Sequence, residues 1–76
     1  MGKRREKLIA ARKRLNLSQD RLAKKIEDLY DYRITGSHIC KIELGHTDPS
    51  AKLLRILTDV LDLQMEDIIS EEVLDK

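Results

Sequence analysis

Two short segments of this chain carry the same helix-start device, and the pair leaves few folds open. Ser18 is a favoured N-cap, and Leu17 before it and Leu22 four residues after it form the apolar staple that sets the angle at which the backbone joins a helix. Thr35 repeats the arrangement with Ile34 and Ile39, so another helix is expected from Gly36 to Leu44, with Gly45 as its left-handed stop. The two would share one small core. Taken alone, such caps fit any small helical bundle.

The rest of the chain fills in around that pair. Leu8, Ile9, Arg12 and Leu15 recur at helical spacing, which predicts a first amphipathic helix from Arg4 to Leu15 with Asn16 as its stop. The helix after Ser18 is expected from Gln19 to about Leu29, burying Leu22, Ala23, Ile26 and Leu29, and Tyr30 to Arg33 reads as a turn-like segment holding both aromatics. The Gly36 helix turns Ile39 and Ile42 inward and Ser37, His38 and Lys41 to another side. Pro49 suits the first turn of a fourth helix capped by Asp48 or Ser50, with Leu53, Leu54, Leu57, Val60 and Leu61 repeating at three and four. A fifth helix is expected from Met65 to about Val73. No strand-like alternation and no internal repeat is present, so the expected fold is all-α, a compact five-helix single domain over residues 1–76. Its middle has the frame of a helix-turn-helix, which makes double-stranded DNA the leading partner.

Length and charge bound the function. A chain of 76 residues buries roughly 60% of its unfolded surface, which leaves little room for an active-site cleft. One cysteine forms no internal disulfide, and no apolar run approaches the roughly 20 residues that span a bilayer. The basic N-terminus lacks the apolar segment of a secretory signal, so a reducing cytoplasm is the expected location. The start at Met1 fits a complete small protein and equally the first domain of a longer one.

Net charge is only +1, but it is unevenly placed. Residues 1–25 carry ten Lys or Arg against Glu6 and Asp20, whereas residues 58–76 carry seven acids against Lys76. Either this polarity points one end at phosphates, or both ends are simply solvated helix faces. Two His, one Cys and scattered acids give neither a zinc spacing nor a nucleophile arrangement, and there is no Gly-rich phosphate loop. No enzyme activity, metal, cofactor or small-molecule substrate is therefore expected, and Cys40 reads as a small helix filler.

Ser18-Gln19 with Leu22-Ala23, then Ile39, Ile42-Glu43 and Gly45, then Asp48-Pro49-Ser50, and finally Leu61-Asp62-Leu63 before an acidic segment form an ordered set. In that order they resemble the lambda-repressor and Cro type of helix-turn-helix regulator, over about residues 5–70. The resemblance implies a third helix lying in the major groove while the second crosses above the sugar-phosphate backbone. It implies that Gln19 bonds a phosphate and that Arg12 pairs with Glu43 to lock the reading helix, with Arg12 sharing a phosphate.

Base reading would then fall to Gly36, Ser37, His38 and Lys41. Lys41 can donate to guanine O6 or N7, and Ser37 can donate or accept at several base edges. His38 fits a guanine, a phosphate or no role at all. Gly36 departs from the family pattern, in which a long polar side chain often reads a base; its missing side chain lets the backbone approach DNA closely or leaves the position silent. Thr35, Thr47 and Lys52 join Arg12 and Gln19 as candidates for the DNA backbone.

The separation of Ala23 from Ile39 is about six residues longer than a minimal motif needs, which places an insertion within residues 27–33. A longer second helix or an enlarged loop would absorb it, with Tyr30 and Tyr32 covering the core or, with Arg33, touching the groove edge. Met65, Ile68, Ile69, Val73 and Leu74 exceed what a terminal helix needs to seal so small a core, so a homodimer through that region is expected. The reading as a whole is a sequence-specific DNA-binding transcriptional regulator, most simply a repressor. The alternative is a protein-interaction module of the same fold, such as an antitoxin or a transcription adaptor.

Overall fold

The computed structural model describes residues 4–69, and over them the chain forms helices α1 (Glu6–Arg14), α2 (Gln19–Tyr30), α3 (Gly36–Glu43), α4 (Ala51–Leu61) and α5 (Met65–Ile68), with no strand. The helix starts have a common cause. The hydroxyls of Ser18, Thr35 and Ser50 accept from the backbone N–H of Arg21 (3.1 Å), His38 (3.2 Å) and Leu53 (3.1 Å), each satisfying a donor that the first turn leaves unpaired. The stops are equally local. Asn16, Asp31, Gly45 and Asp62 follow α1, α2, α3 and α4 with φ of 60°, 55°, 81° and 57°, a left-handed conformation that Gly, Asn and Asp tolerate better than other residues.

At the helix ends, one sequence expectation changes and two open alternatives are decided. Ser50 alone caps α4, which leaves Asp48 free for a different partner. The fifth helix ends at Ile68 rather than near Val73: Ile69 is already extended, with ψ 134°, so α5 is a single turn. Val73 and Leu74 lie outside the described residues. The insertion is absorbed by a longer second helix, followed by an extended link from Asp31 to Thr35.

All five helices contribute to one core. Leu8, Leu22, Ile26, Ile39, Ile42, Leu53, Leu57, Leu61 and Ile68 are almost fully buried, with Leu17, Tyr30, Tyr32 and Ile34 packed against them. Burying each such aliphatic side chain is worth about 1.5–3 kcal/mol. Leu29 does not join them; it is 62% exposed. The inward line of α2 runs Leu22, Ile26, Tyr30 at intervals of four, so Tyr30 takes the place over the core and Leu29 is rotated about 100° away from it. Leu15 is also exposed, because α1 ends just before it, while Ala11 and Ile56 are buried beside the residues that the spacing singled out.

Both tyrosines fasten the α2–α3 link to α4. The Tyr30 hydroxyl donates to the Asp59 carboxylate, and this hydrogen bond raises the phenol pKa above its ordinary value. The Tyr32 hydroxyl lies 3.2 Å from Ser50 Oγ, and Lys52 Nζ sits 5.6 Å from the centre of the Tyr32 ring. The inserted residues therefore brace the fold on the α4 side and leave the docking of α3 on α2 and α1 in place.

Candidate nucleic-acid interface

α3 is held from behind by a buried polar network centred on Glu43, its last residue. Arg12 Nε donates to Glu43 Oε2 at 2.5 Å and Arg12 Nη2 donates to Glu43 Oε1 at 3.2 Å. Gln19 Nε2 donates to Glu43 Oε1 at 2.9 Å, and Arg12 Nη1 donates to the Leu17 carbonyl at 2.8 Å. With the side chains of Arg12 and Glu43 only 10% and 4% exposed, the pair is a desolvated, forked ion pair joining α1, α2 and α3. Its geometry offsets the cost of burying both charges, since each carboxylate oxygen and each guanidinium nitrogen has a partner. Among the described residues no buried side-chain nitrogen or oxygen lacks one.

A second arginine, missed in the sequence, does comparable work. Arg5 is 8% exposed and precedes α1. Its backbone N–H donates to the Glu43 carbonyl at 2.7 Å, and its guanidinium donates to the carbonyls of Ile42 (2.6 Å), Ile68 (2.8 Å) and Thr47 (3.3 Å) and to Asp48 Oδ1 (2.6 Å). One side chain thus ties together the end of α3, the loop before α4 and the end of α5. The available signal was positional: Arg5 extends the 5-8-9-12 stripe of α1, where a cation on the inward face demands acceptors. Two of the ten cations in residues 1–25 are therefore spent inside the fold, so the basic balance of that segment overstates its surface charge.

The outer face of α3 is open. Gly36, Ile39, Ile42 and Glu43 turn inward, whereas Ser37, His38 and Lys41, related by three and four residues, are exposed on the opposite side. Eight residues at 1.5 Å each give a rod of about 12 Å, of a diameter that a DNA major groove accommodates. Gly36 does not belong to that face. It is buried against α2, and a Cβ added there would collide with Asp20 Oδ1 and lie 3.1 Å from the Asp20 backbone nitrogen. The residue is glycine because two helix starts meet there, which corrects the expectation that it faces outward to a base.

Around this face, Thr35 and Lys52 are exposed and Gln19 and Thr47 are half-buried. Gln19 has one amide hydrogen left beyond its bond to Glu43. Thr35 Oγ1 serves as the cap of α3, and the Thr47 carbonyl accepts from Arg5. Arg12 is drawn back into the network, where each of its three nitrogens already donates within the fold. Met65 is exposed and Ile69 half-buried, but Ile68 is 1% exposed and belongs to the protomer's own core. Its removal from the expected dimer surface follows from the single-turn α5, which has only that one side chain with which to seal the end of the bundle.

Two capped helices in sequence, the second braced at its far end and bare on its outer face, define a helix-turn-helix domain. A family model described as helix-turn-helix matches residues 8–68, and the chain belongs to this family, the lambda-repressor and Cro type of DNA-binding regulator. No curated protein and no solved structure matches the chain. No helix among the described residues is long and apolar enough to cross a membrane.

Proposed function

We propose that this domain is a sequence-specific, double-stranded DNA-binding repressor that reads the major groove with α3. The observation that carries the reading is the exposed Ser37, His38 and Lys41 face of a helix locked from behind by Arg12, Gln19 and Glu43. Lys41 donates to guanine O6 or N7, Ser37 bonds a neighbouring base edge, and His38 bonds a base or a phosphate. Gln19, Thr35, Thr47 and Lys52 hold the DNA backbone and so set the register without specifying sequence. Arg12 acts at one remove, by fixing Glu43 and Gln19.

One such domain covers a half-site, so specific binding requires two copies with reading helices about 34 Å apart. The C-terminal region, with Met65 and Ile69, supplies the homodimer contact, and its acidic character keeps that contact away from the DNA. A dimer seated on a promoter would compete with polymerase for the same duplex. Selection from a random duplex pool at several salt concentrations tests the reading. The expected result is an enriched two-fold motif, an affinity that falls steeply with salt, and a loss of roughly tenfold or more for the selected site in Lys41→Ala. A correctly folded parent that binds no duplex would refute the reading and favour the protein-interaction module.

A further inference from the structure

The close approach at Gly36 sets an acidic side chain of α2 against the amino end of α3. Asp20, in the first turn of α2, lays its carboxylate over Gly36, so that Oδ1 occupies the space that a Cβ at position 36 would need. Asp20 is exposed, and among the described residues its carboxylate takes part in no hydrogen bond or ion pair. An acceptor-only side chain is thus supplied to the amino end of α3 by α2.

We propose that Asp20 is a specificity-determining residue that selects cytosine at one outer base pair of the half-site, a role resting on the groove-reading function proposed above. A carboxylate is an acceptor without a donor, and the base edges of the major groove sort sharply against it. Cytosine offers the N4 amine alone, guanine offers two acceptors, thymine an acceptor and a methyl group, and adenine sets the N7 acceptor beside its amine. Cytosine alone offers a donor with no acceptor on its own base edge, so a carboxylate approaching from the cytosine side meets the amine first. Without that donor the carboxylate brings uncompensated negative charge into an anionic groove, so Asp20 discriminates by penalty as well as by attraction.

The experiment is site selection from a random duplex pool with the full chain as parent, Asp20→Ala and Asp20→Asn, each checked for helicity by circular dichroism, followed by titration of the parent motif with that base pair varied. The parent should prefer cytosine at one outer position. Asp20→Ala should lose that preference by roughly tenfold, and Asp20→Asn should shift it toward adenine, whose N6 and N7 match an amide. Gly36→Ala, which displaces the carboxylate without removing it, should weaken the same preference. An unaltered motif with affinity for all sequences raised equally would overturn the role of Asp20 and leave it a source of phosphate repulsion. A parent that enriches no motif would instead overturn the proposed function.

Discussion

Arg5→Met tests whether the fold depends on a single buried guanidinium. Methionine keeps a comparable unbranched stem but offers no donor, so the Ile68 carbonyl, which Arg5 serves in a buried bond of 2.8 Å, loses its partner among the described residues, while the Ile42 carbonyl loses its 2.6 Å bond and keeps only the Gly45 N–H at 3.1 Å. The orphaned Ile68 acceptor costs about 1–3 kcal/mol and the lost bond to Ile42 about 0.5–1.5 kcal/mol, which gives about 1.5–4.5 kcal/mol for the two. Thr47 and Asp48 add little. The first bond is long and only part-buried, at 3.3 Å, and the Asp48 side chain is 88% exposed and regains water. A domain of this length is held by only about 4–11 kcal/mol, so the variant should lose a substantial part of its stability and melt at least about 6 °C lower. Urea denaturation followed by circular dichroism reads the change directly. Asp48→Asn is the control, with an expected loss under about 1 kcal/mol. If Arg5→Met cost less than about 1 kcal/mol, or if Asp48→Asn cost as much, the carbonyl clasp would not be what Arg5 contributes.

Three further outcomes follow from the same contacts. Glu43→Gln leaves the Arg12 guanidinium buried without its counter-charge and should cost about 3–5 kcal/mol by urea titration, with weaker DNA binding than the stability loss alone produces because α3 loses its brace. Leu29→Ala should change stability by under about 0.5 kcal/mol while Ile26→Ala costs about 2–5 kcal/mol, and equal costs would contradict the rotation of Leu29 away from the core. The Gln64 backbone N–H, followed by the Lys7 ammonium, holds the Asp67 carboxyl below its ordinary pKa. Because the folded pKa is the lower one, the stabilisation is complete above the unfolded value and disappears as pH falls through the folded value. An NMR titration of Asp67 should show that depressed midpoint, and Lys7→Ala should move it upward.

Much of the architecture was legible because it is written in short-range chemistry. Ser18, Thr35, Asn16 and Gly45 act on backbone groups within a few residues, and the spacing of Leu22 and Ile26 or of Leu53, Leu57 and Leu61 needs only the helical repeat to be understood. The Arg12 and Glu43 pairing entered through family resemblance, since no local rule links residues 31 apart in the chain. Arg5, the inward turn of Gly36 and the loss of Ile68 from a partner surface were beyond such rules. Each depends on which carbonyls, helix starts or core gaps arrive from distant segments.

Local sequence thus determined where helices begin and end and which stripe of each is apolar, because caps and periodicity act over one or two turns. Packing decided which polar residues are consumed in holding the bundle and which are left facing outward. Arg5 and Ser37 are both polar residues beside a helix start, and although Arg5 continues the inward stripe of α1, no rule acting within a turn supplies the acceptors it needs there. One meets three carbonyls from other segments and the other meets solvent, since the burial of a charge or a hydroxyl is settled by long-range partners that exist only once the five helices have come together.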